Sequence, residues 1–218
     1  MNKHLLILGA TGLVGQQLLQ QALQDTSVSR VTAPTRKPLP PHPKLDNPVV
    51  DFAALPEHAD WWKADAVLCA FGTTIRQAGS QADFTRIDHD YVIQAAQLAL
   101  KAGCQCMVYN SSLGANPNAA SFYLRSKGQT EAALQALGFA SLNIVRPSLL
   151  GGQRTEHRPG EAIALRVFSW LAPLIPRKYR IVPATRVAQC MHRMAVESGA
   201  GFHILESAAI LADAVLAY

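Results

Sequence analysis

The chain has 218 residues, 49% hydrophobic and 16% charged, and its 20 Lys and Arg against 15 Asp and Glu leave a formal charge of +5. That is ample apolar material for a core and too little charge for disorder. No apolar run nears the ~20 residues of a membrane-spanning helix, which excludes an integral membrane protein. The basic residues are scattered, densest at Arg177-Lys178-Tyr179-Arg180, and form no face or module of the kind that binds nucleic acid.

Apolar, partly β-branched runs predict strands at 4–8, 30–34, 48–50, 66–70, 105–110, 141–146 and 203–205. Helical periodicity falls between them, at 13–25, 83–102, 121–138, 161–172, 186–197 and 207–217. Within 83–102, Phe84, Ile87, Tyr91, Ala95 and Leu98 recur at spacings of three and four, so they share one stripe. The proline cluster Pro38-Leu39-Pro40-Pro41-His42-Pro43 is a loop between the second and third strands, and Asn116-Pro117-Asn118 separates a strand end from a helix start. Strands apolar on both faces and alternating with helices predict an α/β fold, a doubly wound parallel sheet with helices on each side. No repeat or linker interrupts it. Residues 1–218 read as one domain, with a core over about 1–150 and a small substrate-side elaboration at 151–218.

The first strand runs into Gly9-Ala10-Thr11-Gly12-Leu13-Val14-Gly15 and a helix. The first glycine permits a tight turn, the middle one lets backbone approach a diphosphate, and the third lets helix pack on strand. The free N–H groups of the helix start then face the anion. The spacing is GxxGxxG rather than GxGxxG, but it sits in the first βα turn, where a dinucleotide-binding loop belongs. About 20 residues further on, an NAD-binding protein carries an acidic residue for the ribose 2′-hydroxyl. Here Thr35-Arg36-Lys37 stands there, and the Arg36 guanidinium suits a 2′-phosphate, which favours NADP(H).

Tyr123-Leu124-Arg125-Ser126-Lys127 places a tyrosine and a lysine at i and i+4 near a helix start, on one face. The strand before it ends in Ser111-Ser112, and the carboxyl ends of strands line the ligand crevice of an open α/β sheet. An ammonium beside a phenol favours the phenolate. Tyr123 is thus a candidate acid–base group, Ser112 a hydrogen-bond donor to the same substrate oxygen, and Lys127 a charge that also reaches the nicotinamide ribose.

Together these residues resemble the short-chain dehydrogenases/reductases of the atypical, extended-like kind, and within them the Tat-interacting-protein-like NADPH-binding oxidoreductases. The similarity runs nearly end to end. It takes in the glycine turn, Phe71-Gly72-Thr73-Thr74, Asp88-His89-Asp90-Tyr91-Val92, Ser111-Ser112-Leu113-Gly114-Ala115, Tyr123 with Lys127, Arg146-Pro147-Ser148-Leu149-Leu150 and Arg158-Pro159-Gly160-Glu161. The resemblance implies a Rossmann fold, bound NADP(H) and a catalytic Ser112, Tyr123 and Lys127. It also implies cofactor contacts from Gly9, Thr11, Gly12, Leu13, Val14 and Gly15, from Arg36, and from Asp51 at the adenine. Phe71, Gly72, Thr73 and Ser111 would lie along the cofactor, and Pro147, Ser148 and Leu149 would flank the nicotinamide. Where many relatives carry an asparagine that completes a proton relay, this chain has Asp88.

The expected activity is therefore NADPH-dependent carbonyl reduction, or the reverse, on a small substrate. The alternatives are an NADPH sensor with little turnover and a nucleotide-sugar epimerase or dehydratase. Arg154, Arg158, Arg177 and Arg180 suggest an anionic substrate, and His157 is a candidate for the mouth. Cys104 and Cys106 read as buried small hydrophobes, and Trp61-Trp62 as packing under the third strand. The apolar segment Ala162 to Pro176 reads as a cover for the sheet edge or the site. No His/Cys spacing suggests a metal. Helices 83–102 and 121–138 suit pairing across a two-fold as well as a monomer. Four cysteines make no disulfide framework and the apolar stretch Leu5 to Leu8 is short for a secretory leader, so the cytoplasm is the expected address.

Overall fold

A computed structural model describes residues 2–151, 176–197 and 199–212. Strand β1 (Lys3–Leu8) leads through the glycine turn to α1 (Leu13–Gln24), β2 (Val28–Thr32) and β3 (Leu45–Asp46). After β4 (Ala66–Cys69) come the short α2 (Ile75–Ala78) and α3 (Gln81–Thr85), a π-helical turn over Arg86–Asp90, and α4 (Tyr91–Lys101). β5 (Cys106–Asn110), α5 (Phe122–Ala136) and β6 (Ser141–Arg146) complete the core. Beyond it lie β7 (Leu150–Gly151), β8 (Val182–Pro183), α6 (Ala184–Val196), β9 (Gly201–Glu206) and α7 (Ser207–Leu211).

Seven strands form one parallel sheet in the order β3-β2-β1-β4-β5-β6-β9, and β7 pairs with β8 apart from it. The alternation of β1 shows why both faces need helices. Leu5 and Ile7 enter one core with Val14, Leu18, Val187 and Met191, from α1 and α6. Leu6 and Leu8 enter the other, with Val92, Ala95 and Ala96 of α4 and Leu134 of α5. All four leucine and isoleucine side chains of this run are fully buried, and truncating any one to alanine costs ~2–5 kcal/mol. Chain order reverses between β1 and β4, and the crevice at their carboxyl ends is where such a sheet takes its ligand. This is a Rossmann fold.

Three expectations are corrected. The single helix at 83–102 is broken into α3, the π turn and α4, because an extra residue in the turn brings Asp88 inward. The third strand pairs at Leu45–Asp46, and 48–50 contributes only an isolated bridge, Thr35 to Val49, because Pro48 offers no ladder donor. The β7–β8 pair was not foreseen, since two-residue strands have no period to read. Trp61 and Trp62 lie buried in a 3₁₀ turn, with Trp62 Nε1 donating to the Pro56 carbonyl at 2.8 Å. The helix expected at 161–172 falls outside the described residues, as do all of 162–176 but its last residue and the end of the helix expected at 207–217.

Candidate active site

The glycine turn closes on itself. Gly9 has φ +81°, and a Cβ there would stand 2.7 Å from the Ala70 carbonyl oxygen at the end of β4. A Cβ on Gly15 would stand 1.9 Å from the Gly9 oxygen, so only glycine lets α1 begin this close to β1. Gly12 N–H donates to the Gly9 carbonyl at 2.9 Å, and Gly12 caps α1 with no side chain over its first amides and no acidic residue in its first turn. Those amides therefore remain free for an anion.

In front of the turn lies a cleft of about 720 Å³. Its lining includes Gly9, Thr11, Arg36, Asp51, Phe71, Gly72 and Thr73 among the residues expected at the cofactor. Arg36 is exposed at the rim, and Asp51 accepts the Ala53 N–H at 2.9 Å in a turn beside it. Phe71 packs edge-on to Phe52 at 5.0 Å, forming an aromatic wall with Tyr91. Gln77, Asp83, Arg86 and Ile87 complete the far side. Leu13, Val14 and Gly15 stand behind the turn and do not line the cleft; nor do Ser111, Ser112, Tyr123, Lys127, Pro147, Ser148 or Leu149.

Beyond Thr73 is a second group of residues. Tyr123, in the first turn of α5, is 37% exposed and held edge-on by Phe84 at 5.9 Å. One turn on, Lys127 is buried, with Nζ 2.8 Å from Asp88 Oδ1, 3.1 Å from the Tyr109 hydroxyl and 3.5 Å from the Asn110 carbonyl. The Tyr109 hydroxyl and the Asn110 carbonyl accept hydrogen bonds from the ammonium, while Asp88 Oδ1 stands at ion-pair distance. Burial works against the charge on Lys127. The oxygens of Tyr109, Asp88 and Tyr123 more than offset it, so its pKa lies well above the usual lysine range. Burial pushes the Tyr109 phenol well up, which leaves it neutral. The other Asp88 oxygen accepts the Thr73 N–H at 2.9 Å, tying the cofactor cleft to the lysine.

The serines divide. Ser111 donates its hydroxyl to Glu131, which holds Arg146 through contacts of 2.5 and 3.0 Å, so this hydroxyl is engaged inside the protein. Ser112 is half-buried in the following loop. That loop is pinned to α5 by the Asn116 N–H on the Leu124 carbonyl at 3.2 Å and by Gly128, where a Cβ would stand 2.2 Å from Asn116 backbone. Pro147 accepts the Leu113 N–H at 2.8 Å, which fixes the next strand end to the same loop. Ser148 bonds the Arg180 carbonyl and, at 3.0 Å, the Ser207 hydroxyl, and Leu149 is exposed.

Sequence reasoning named the tyrosine, lysine and serine, and Asp88 at the relay position, but missed the other supports, Tyr109, Gly128 and Glu131, and the pairing of Asp88 with Lys127. Asp88 alone left a signal, lying four residues from both Phe84 and Val92 on an otherwise apolar stripe. The anionic-mouth residues Arg154, Arg158 and His157 lie outside the described residues, while Arg177 is exposed in a 3₁₀ turn. Cys104 and Cys106 are buried, and burial raises the Cys104 thiol to about 11. Among the described residues no helix is long and apolar enough to cross a membrane, and no cluster of His, Cys, Asp and Glu is fit to hold a metal.

Comparison with known proteins accords with this geometry. In solved structures the fold matches MoeE5 in complex with UDP-glucuronic acid and NAD (TM-score 0.73, 19% identity, 94% of this chain and 76% of that one). It also matches the enzyme WbmH of Bordetella bronchiseptica in complex with NAD+ (TM-score 0.67, 18% identity, 94% and 75%). Among curated relatives, Protein HTATIP2 of Rattus norvegicus is 37% identical over 216 residues, 96% of this chain and 88% of its own. Protein fmp52, mitochondrial, of Aspergillus niger is 35% identical over 178 residues, 76% of this chain and 74% of its own. This second relative, with its counterpart in Debaryomyces hansenii, overturns the cytoplasmic expectation, because both are named as mitochondrial proteins. Mitochondrial addressing uses amphipathic, arginine-rich signals, which reasoning from apolar leaders and cysteine count does not see. Residues 5–165 match the NAD dependent epimerase/dehydratase family, and the chain belongs to that family.

Proposed function

We propose that the chain is an NADP(H)-dependent oxidoreductase that interconverts a carbonyl and an alcohol on a small substrate. The observation that carries this is an exposed tyrosine one helical turn from a buried lysine, joined through Asp88 and Thr73 to a glycine-turn cleft with an arginine at its rim. The cleft suits a dinucleotide: a Cβ would fill the turn at Gly9 and Gly15, and the uncapped amides of α1 offer a diphosphate its donors. Arg36 would take the 2′-phosphate, Asp51 the adenine side, and Phe71, Gly72 and Thr73 the length of the molecule.

The bound nicotinamide supplies or accepts the hydride at the substrate carbon. The chain supplies the rest. Ser112 donates a hydrogen bond to the substrate oxygen, and Tyr123 delivers a proton to that oxygen in reduction or removes it in oxidation. Lys127, shut away from solvent and paired with Asp88, stands one helical turn behind Tyr123. Pro147, Ser148 and Leu149 would bound the nicotinamide end. Arg154, Arg158, Arg177 and Arg180 would favour an anionic substrate, a reading that fails if neutral carbonyls compete as well as phosphate- or carboxylate-bearing ones.

The test is purified protein saturated with NADPH and offered a metabolite extract, with Tyr123→Phe in parallel and product masses followed. Turnover lost in the variant is the expected result. Binding of NADPH with no consumption by either protein would establish a sensor instead. The family also supports epimerisation, in which the cofactor would not be consumed; NAD retained through purification marks that outcome.

A further inference from the structure

We propose that Asp88 is a positioning residue of this site: its carboxylate holds the Lys127 ammonium and cancels its charge, so that Tyr123 faces a neutral pair rather than a bare cation. The inference rests on the reading of Tyr123 as the acid–base group. The geometry is built for it. The π turn swings Asp88 out of α-helical register and into the protein, where it is 1% exposed. Its main-chain carbonyl accepts the Thr130 hydroxyl of α5 at 3.2 Å, and its Oδ2 accepts the Thr73 N–H, so the carboxylate is anchored at both ends. The remaining oxygen has Lys127 Nζ at 2.8 Å.

The groups that face this pair come from three elements: Tyr123 on α5, Tyr109 on β5 and Cys69 on β4. Burial pushes the Cys69 thiol up to about 12 and the Tyr109 phenol higher, so both are neutral across the working pH range. Asp88 is therefore the carboxylate set against Lys127, and the two form the ion pair behind Tyr123. A buried pair at contact distance is weakly screened, and removing one member exposes the charge of the other.

The experiment is a titration of the Tyr123 phenol by NMR of tyrosine ring-labelled protein, its signal assigned as the one of five tyrosines that disappears in Tyr123→Phe. No substrate is needed, so the result stands whether or not the oxidoreductase reading survives. Asp88→Asn is expected to lower the Tyr123 pKa by about one unit or more, a tenfold rise in phenolate at fixed pH. Lys127→Met is expected to raise it, and the double variant, which buries no lone charge, is expected to titrate close to the parent. Where enzyme turns over, the basic limb of its pH profile shifts down in Asp88→Asn by the same amount. Tyr123 unmoved in Asp88→Asn overturns the proposal. If that variant does not fold, a double variant displaced upward by a full unit overturns it, since Lys127 would then act uncompensated.

Discussion

Replacing Gly128 by alanine sets two physical effects against each other, and the structure says which prevails. In the middle of a helix, glycine to alanine is normally stabilising by ~1 kcal/mol. Gly128, however, meets the loop after β5: a Cβ would lie 2.2 Å from the Asn116 carbonyl carbon, 2.4 Å from the Pro117 nitrogen and 2.6 Å from the Asn116 Cα. Ordinary carbon contacts begin near ~3.5 Å, so backbone on one side must retreat by about 1.3 Å. Strain of that kind costs ~1–3 kcal/mol, which exceeds the propensity gain. Set against the propensity gain, Gly128→Ala is expected to lose up to ~2 kcal/mol in urea unfolding, with unchanged slope. The displaced segment leads back to Ser112, and a misplacement of ~1 Å costs about 100-fold in rate. The glycine turn is remote from the contact, so NADPH affinity should change by less than about threefold. A variant as stable and as active as the parent would refute the close approach and with it the role given to this loop.

Arg36→Ala is expected to weaken NADPH binding about 10–100-fold while leaving NADH nearly unchanged, the worth of ~1.5–3 kcal/mol for hydrogen bonds to a charged group; equal losses for both, measured by fluorescence titration, count against a 2′-phosphate contact. Glu131→Ala removes the partner of both Ser111 and Arg146, leaving Arg146 with Glu206 at 3.5 Å, and should destabilise by ~3 kcal/mol in denaturant melts. A loss under about 1 kcal/mol would mean the network adds nothing. Stability should also fall as pH drops below 6.5. Burial depresses both His192 and His4, so the unfolded chain takes up protons before the native one. The slope is at most ~1.4 kcal/mol per pH unit for each histidine, and His192→Gln should flatten it; an unchanged slope in that variant places the effect elsewhere.

Much of the fold was legible in the sequence because it depends on near neighbours. The period of the apolar residues gave six of the seven sheet strands nearly in place, and the glycine turn announced its own geometry. A strand end followed by Gly9 and Gly15 has few other ways to be packed. Tyr123 and Lys127 were visible as an i, i+4 pair because helix geometry alone puts them on one face. The short third strand and the broken helix at 81–101 were not, since proline placement and an inserted π residue leave hydrophobic period almost intact.

What the sequence by itself determined was the family's layout: a parallel sheet, a glycine turn at the first helix and a tyrosine–lysine face on a later one. The tertiary structure decided how those parts are charged and held. That Asp88 meets Lys127, that Tyr109 rises beneath it and that Gly128 admits the Asn116 backbone are contacts between segments far apart in the chain. Local propensity carries no information about them, because they form only when close packing of helices on the sheet brings their atoms within a few ångströms.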